Sequence, residues 1–256
     1  KKAHVMFRTS EDRGYTWSEP KLLFEGPGIF LRHPVVVMKN GEWLLPCYYC
    51  KEGGHYSVVK ISSDKGQTWT EYEVPNSIHR VQMSVVEFDD GTLFGLFRSR
   101  QAERIYVSIS KDHGRTWTPP AKTNLPNNNS SFQLTKLPNG HLALIYNNVS
   151  IERDQFRWIE SKGSFRRKTL RTPLTIAISE DNGKTWPYRK NIQTADLEYK
   201  DSLVGYSYPS IMGTKDGKIH ISFSYLRKAI KYVVVDEEWV KENHIGPEHD
   251  LGVQFD

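Results

Sequence analysis

Residues able to bind an anion recur at corresponding points along this chain. Arg32-His33, Gln82, Asn127 to Asn129 and Tyr206-Ser207-Tyr208 each stand at the start of an apolar stretch. Arg98-Ser99-Arg100, Tyr146-Asn147-Asn148 and Tyr225-Leu226-Arg227 each stand at the end of the next one. A guanidinium binds a carboxylate through two parallel, charge-assisted hydrogen bonds. Aromatic rings offer flat faces to a sugar, and amide side chains can bond its hydroxyls. If Arg32, Gln82, Arg98, Arg100, Asn147, Tyr206 and Tyr208 converge, the chemistry they suit is recognition of an acidic saccharide. No metal site is expected. The two cysteines, Cys47 and Cys50, form a C-x-x-C run inside a strand-like stretch. Positions i and i+3 of a strand point to opposite faces, so the thiols read as small buried hydrophobes rather than as metal ligands or a disulfide.

What would position these residues is a repeat, the feature to seek first in a sequence. Ser10 to Trp17, Ser62 to Trp69, Ser110 to Trp117 and Ser179 to Trp186 all read S-x-D-x-G-x-T-W, with their aspartates 52, 48 and 69 residues apart. Each follows an alternating apolar stretch such as Ile105-Tyr106-Val107-Ser108-Ile109, a strand pattern. The Ser and Asp side chains can accept backbone hydrogen bonds and hold a tight turn, Gly permits a positive φ, and Trp can fold back onto the sheet. A second series, Asn40-Gly41, Asp90-Gly91, Asn139-Gly140 and Asp216-Gly217, interleaves with the first and reads as hairpin turns. Each unit is therefore strand, tight turn, strand, loop, strand, Asp-containing turn, strand.

Four antiparallel strands in about fifty residues make the blade of a β-propeller. The expected fold is all-β: about five units at 1–28, 29–76, 77–126, 127–200 and 201–240, the first incomplete and the last without its Asp-containing turn. Roughly twenty extra residues, about 148–170, interrupt the fourth unit and carry the basic run Arg166-Arg167-Lys168, read as a solvated loop. A short helix is expected near 236–243. One domain over 1–256 is expected, lacking an N-terminal segment because the chain starts at Lys1 and its first unit is half a blade.

Composition bounds the alternatives. The 256 residues include 35 Lys and Arg against 30 Asp and Glu, a net charge of +5, with 38% hydrophobic and 25% charged residues. These proportions argue against a disordered chain. The modest, dispersed charge does not indicate nucleic acid. No apolar run is long enough to span a membrane. Aromatic residues reach 12%, which suits a β-rich fold or a sugar-binding surface. Sequons at Asn128, Asn129 and Asn148 are of a length that recurs by chance. A secreted or periplasmic location is favoured.

The S-x-D-x-G-x-T-W copies resemble the Asp boxes of the sialidase (neuraminidase) superfamily, over almost the whole chain. The resemblance implies a six-bladed propeller, with the boxes structural and on the rim away from the active site. It also implies three arginines that grip a sugar carboxylate, a tyrosine nucleophile, a glutamate that activates it and an aspartate acid/base. Leu31-Arg32-His33-Pro34 looks like the family's first arginine motif. Val81 to Glu87, Asp90-Gly91 and then Arg98 resemble its second, and Arg171-Thr172-Pro173-Leu174 before the fourth box resembles its third. Gly205-Tyr206-Ser207 resembles the nucleophile motif, with Tyr206 lying 35 residues after Arg171.

Two departures accompany the match. Gln82 stands where the family has the activating glutamate, and an amide cannot take a phenolic proton. Glu87 is too far along the strand, on its other face. No acid/base aspartate can be placed. The pattern is most similar to bacterial BNR-repeat neuraminidase-like proteins. The expected function is exo-type glycoside hydrolysis of an acidic sugar with no cofactor, Tyr206 and Gln82 at the reaction centre and Arg32, Arg98, Arg100, Arg171, Asn147 and Tyr208 binding substrate. Two alternatives stand beside it: a lyase or unusual glycosidase on uronate glycans using His33 or Tyr206, and a relative that only binds carbohydrate.

Overall fold

The computed structural model describes residues 2–153, 156–161, 163–194, 205–242 and 244. Their sheets follow the sequence units closely. The first unit gives β1 (Lys2–Phe7) and β2 (Lys21–Pro27), an antiparallel pair. The second gives β3 (Ile29–Leu31), β4 (Val36–Val37), β5 (Trp43–Lys51), β6 (Gly54–Ser62) and β7 (Thr70–Glu73). The third gives β8 (Arg80–Glu87), β9 (Leu93–Ser99), β10 (Arg104–Ser110) and β11 (Ala121–Pro126), paired in chain order.

The fourth unit gives β12 (Gln133–Lys136), β13 (Leu142–Asn147), β14 (Phe156–Ser161), β15 (Ser164–Thr169), β16 (Leu174–Ser179) and β17 (Tyr188–Gln193). Its sheet runs β12-β13-β16-β17, with β14 and β15 forming a separate hairpin inserted between β13 and β16. The fifth gives β18 (Ser207–Gly213), β19 (Lys218–Tyr225) and β20 (Ala229–Asp236). The helix α1 (Glu237–Lys241) follows, capped by the Asp236 carboxylate, which accepts from the Trp239 N–H at 2.9 Å. The second to fifth units are four antiparallel blades arranged as a β-propeller.

The blades hold together because the middle strands are apolar on both faces. In β13, Leu142, Leu144 and Tyr146 enter the core shared with the third blade, while Ala143 and Ile145 enter the core shared with the fifth. Leu44 faces the third blade and Leu45 faces β1. The period-two alternation thus sends successive side chains into two different interfaces, and each interface is a sheet-on-sheet core.

All four Asp boxes close in one way. In the third, Ser110 Oγ accepts from the Gly114 N–H at 2.8 Å and donates to Asp112 Oδ1 at 2.8 Å. The Asp112 carboxylate also accepts from the Thr116 N–H at 2.9 Å and its hydroxyl at 2.7 Å, and Trp117 Nε1 donates to the Gly114 carbonyl at 2.9 Å. The glycine is a packing requirement as well as a turn residue. Gly183 has φ +83°, and a Cβ there would lie 2.6 Å from Phe94 of the preceding blade. The box therefore seals a turn and presses one blade onto the next.

The Asn-Gly and Asp-Gly turns close hairpins as expected. Only the glycine has positive φ, and Gly41, Gly91, Gly140 and Gly217 each donate to the carbonyl three residues back, which makes a three-residue loop ending in a glycine bulge. Two other expectations need correction. The run Arg166-Arg167-Lys168 is not a loop but part of β15, because its backbone pairs with β14 from Phe156↔Thr169 to Ser161↔Ser164. Cys47 is buried as expected, with its thiol pushed up by burial to about 12. Cys50, however, is half-buried, with Sγ 3.8 Å from an Arg100 nitrogen. Among the described residues no helix is long and apolar enough to cross a membrane.

Candidate functional site

The innermost strand of three blades breaks its ladder where a polar side chain must leave it. In the third blade Val81 pairs with Arg98 and Ser84 with Leu96, so Gln82 and Met83 together oppose one residue. In the fifth blade Ser207 pairs with Ser224 and Ser210 with Ser222, so Tyr208 and Pro209 do the same. Both are β-bulges, which re-aim a side chain. Gln82 and Tyr208 occupy the first bulge position with φ of 53° and 52°, costly for side chains of that size. In the second blade the inner strand is split into β3 and β4, both paired with β5, and Arg32-His33-Pro34 fills the break. In the fourth blade Asn129 has φ 57° just ahead of β12. Gln82, Asn129 and Tyr208 thus hold one position in three successive blades, each followed two residues later by a serine.

These positions gather three arginines around the ring of Tyr208. The guanidinium carbons of Arg32 and Arg171 lie 5.8 Å and 5.7 Å from the ring centroid. The Arg98 guanidinium faces the Tyr208 hydroxyl. Arg98 is buried, 5% exposed, and tied at two nitrogens, donating from Nε to Asn129 Oδ1 and from Nη1 to Gln82 Oε1, each at 2.9 Å. Arg32 donates from Nε to Ser131 Oγ at 3.0 Å and from Nη2 to the Pro209 carbonyl at 2.8 Å. Every one of these acceptors is uncharged. Among the described residues the Arg171 guanidinium has no hydrogen-bond partner.

One polar segment, Asn127-Asn128-Asn129-Ser130-Ser131, positions all three arginines. Asn129 holds Arg98 and Ser131 holds Arg32. Asn128 donates to the Leu170 carbonyl at 2.6 Å and accepts at its own carbonyl from the Thr169 hydroxyl at 2.6 Å, which fixes the chain just before Arg171. Asn127 Oδ1 accepts from the N–H groups of Ser99 and Asn129, each at 3.1 Å, and shapes the turn itself. Asn128 is buried, which removes its sequon from the surface.

The tyrosine among the arginines is Tyr208, not Tyr206. Tyr206 is 2% exposed, packs edge-on to Phe223 and beside Tyr225 in the core, and donates from its hydroxyl to the Thr194 carbonyl at 3.1 Å. A regular strand would put Tyr206 and Tyr208 on one face, but the bulge separates them and releases Tyr208, which is 44% exposed. Asn147 is likewise buried. It donates to the carbonyls of Pro173 at 3.3 Å and Tyr206 at 3.1 Å, so it joins the segment after Arg171 to the one before Tyr208. Arg100 is half-buried and near enough to act on both Arg98 and Tyr208. Glu87 sits at the far end of β8, where it accepts from the Lys39 N–H at 2.7 Å. Tyr48 was not expected here: its hydroxyl accepts from Gln82 Nε2 at 3.3 Å. The apolar strand around it in β5 hid that role.

The electrostatics follow from the geometry. Burial lowers the proton affinity of Arg32, Arg98 and Arg171, while Tyr208 opposes that in each. Burial alone would raise the Tyr208 phenol. The charge and hydrogen bonding of Arg98, then the charges of Arg171 and Arg100, outweigh it and hold the phenol below its ordinary value. His33 is driven down to about 3 by burial and by Arg32, so it is neutral. Its Nε2 lies 3.1 Å from the Gln82 carbonyl and carries the proton donated there. Among the described residues the one cluster with metal-ligand spacing is His141, Glu180 and Glu237. There the Lys241 ammonium already bonds both carboxylates, 2.6 Å from Glu237 Oε1.

A model of the BNR repeat-like domain matches residues 1–221. The chain belongs to the BNR repeat-like family. This BNR-repeat domain is 26% identical over 222 residues to a sialidase of Micromonospora viridifaciens, a match covering 77% of the chain and 31% of that protein. Among solved structures it is similar to the Hadza microbial sialidase Hz136, with TM-score 0.72, 20% identity, and 93% of this chain against 44% of that one covered. It is similar also to the intramolecular trans-sialidase from Ruminococcus gnavus in complex with oseltamivir carboxylate, with TM-score 0.67, 20% identity, and coverage of 93% and 51%. The BNR-repeat domain thus shares the propeller fold of these structures, and it spans about a third of the curated relative.

Proposed function

We propose that this BNR-repeat domain carries out exo-type hydrolysis of a glycoside whose terminal sugar bears a carboxylate. The observation that supports the reading best is the ring of Tyr208 enclosed by Arg32, Arg98 and Arg171. The guanidinium fork of Arg171 is suited to receive the carboxylate bidentately. With the acid group held there, the Tyr208 oxygen, set among the arginines, serves as the nucleophile. It attacks the anomeric carbon, the bond to the leaving oxygen breaks, and that oxygen takes a proton from solvent water as it leaves. Water then hydrolyses the glycosyl-tyrosine and restores the phenol. Tyrosine nucleophiles are a known exception to the two-carboxylate pattern of glycosidases. The lyase reading is less favoured, because His33 is buried and held down to about 3, which makes it a weak base, and Tyr206 is buried with its hydroxyl on Thr194.

The test is turnover of a 4-methylumbelliferyl sialoside and of the matching uronide by the whole chain. Release of the fluorophore that Tyr208→Phe abolishes supports the reading. A new conjugated double bond in uronate polymers would establish a lyase instead. Binding of acidic sugars without turnover would leave a carbohydrate-binding protein.

A further inference from the structure

In the proposed reaction Gln82 cannot take a proton from Tyr208, so something else must make the phenol nucleophilic. The described groups that act on Tyr208 are cationic: Arg98 and Arg100 at the end of β9, Arg171 ahead of β16, and Arg32 after β3, with Arg227 after β19 acting on Arg171. They differ in how they are held. Arg171 is untethered among the described residues, whereas Arg98 is fixed by Asn129 and Gln82, two neutral acceptors at 2.9 Å. Gln82 is in turn held from behind by Tyr48 at 3.3 Å and by His33 on its own carbonyl at 3.1 Å. A glutamine is the residue that can fix an arginine in this way without neutralising it. A carboxylate at the same place would pair with Arg98 and cancel its effect on the phenol.

We propose that Arg98, locked in place by Gln82 and Asn129, stabilises Tyr208 as a phenolate, so that Gln82 is a positioning residue and the nucleophile is generated without a carboxylate base. The proton departs to solvent from the half-exposed hydroxyl before substrate binds: the phenol O–H bond breaks, its electron pair stays on oxygen, and water or buffer takes the proton. The arginines then divide the work. Arg171 holds the substrate carboxylate and Arg98 holds the phenolate. This inference rests on the proposed function for its purpose, but its test needs no substrate.

The experiment is an ultraviolet difference titration of tyrosinate on the whole chain, which has 13 tyrosines. One tyrosine is expected to ionise at lower pH than the rest, and Tyr208→Phe is expected to remove that step. Gln82→Leu, close in size but unable to hold Arg98, is expected to shift the step upward toward the other tyrosines at an unchanged thermal midpoint. Arg98→Lys, which keeps the charge but loses both tethers, is expected to shift it too, and serves if Gln82→Leu fails to fold. Gln82→Glu is expected to shift it upward by pairing with Arg98. An early step that persists in Tyr208→Phe, or that stays in place in both Gln82→Leu and Arg98→Lys, overturns the inference. An early step that behaves as expected in a chain that turns over no acidic glycoside sinks the proposed hydrolysis and leaves the phenolate in place.

Discussion

Gly205 passes so close to Arg171 that a Cβ on the glycine would lie 2.6 Å from the Arg171 Cβ and 2.8 Å from its carbonyl oxygen. The next residue donates its N–H to that same carbonyl at 2.9 Å, so the segment leading to Tyr208 is laid directly against the one carrying Arg171. A side chain at 205 must push them apart. Gly205→Ala is expected to weaken binding of an acidic monosaccharide at least as much as a loosened contact elsewhere in the site would, by about tenfold or more, since a displacement of 1 Å at a reacting centre costs about a hundredfold in rate. Calorimetry with wild-type affinity for Gly205→Ala would refute this.

Arg171 itself carries the guanidinium fork. Arg171→Ala is expected to abolish calorimetric binding of the acidic sugar while leaving the thermal midpoint near wild type, because no hydrogen bond among the described residues depends on its side chain and the carbonyl that accepts from Tyr206 is kept. Arg171→Lys, a point charge without the fork, is expected to bind weakly.

Stability is expected to respond at the Asp boxes, far from that chemistry. Asp112→Ala leaves the Thr116 N–H, the Thr116 hydroxyl and the Ser110 hydroxyl without their acceptor. The expected loss is about 1–3 kcal/mol, which for a chain of this size is roughly 2–4 °C in Tm per kcal/mol. Gly183→Ala adds a Cβ at positive φ against Phe94, and the expected loss is roughly 2–4 kcal/mol. Calorimetric melting checks both, with sugar binding unchanged at temperatures where the variants are folded.

Acid should unlock the same turns. Hydrogen bonds from the Thr16 hydroxyl and N–H and from Ser10 hold Asp12 down to about 2, and those from Thr68 and Ser62 hold Asp64 down to about 2. Both are lowered on folding, so their contribution is present above the ordinary carboxylate value and is lost as pH falls toward about 2. Asp112 and Asp181 are lowered too, their Thr and Ser hydrogen bonds outweighing burial. Thermal midpoints are expected to drop steeply across that window, and less so in Asp64→Asn, whose amide does not titrate. A flat profile from pH 4 downward would contradict this.

The blades were legible because their signal is periodic. Four copies of one turn and four Asx-Gly hairpins recur inside the units, and the apolar runs between them are long. The site was only half legible. Arg32, Arg98 and Arg171 lie at strand ends where their type and spacing stand out. Tyr206 matched a short string, but the β-bulge at Tyr208-Pro209 in β18 breaks the two-residue alternation that would put both tyrosines on one face, and it brings Tyr208 to the arginines. The clue lay within the chain: Gln82-x-Ser84, Asn129-x-Ser131 and Tyr208-x-Ser210 are one repeated position. The tethers were not legible, since Asn129 and Ser131 hold residues 31 and 99 positions away in sequence. The basic run in β15 gave no alternation of apolar residues, so nothing announced its pairing.

The stretch from Asn127 to Ser131 reaches Arg98 of the third blade, Arg32 of the second and the strand leading to Arg171, and Arg32 in turn reaches Pro209 of the fifth. The arginine cluster around Tyr208 therefore exists only when four successive sheets are docked together. A partly assembled ring would have its arginines scattered and its tyrosine untended, so any capacity of this cluster to hold a ligand is a property of the closed set of sheets and of no single blade.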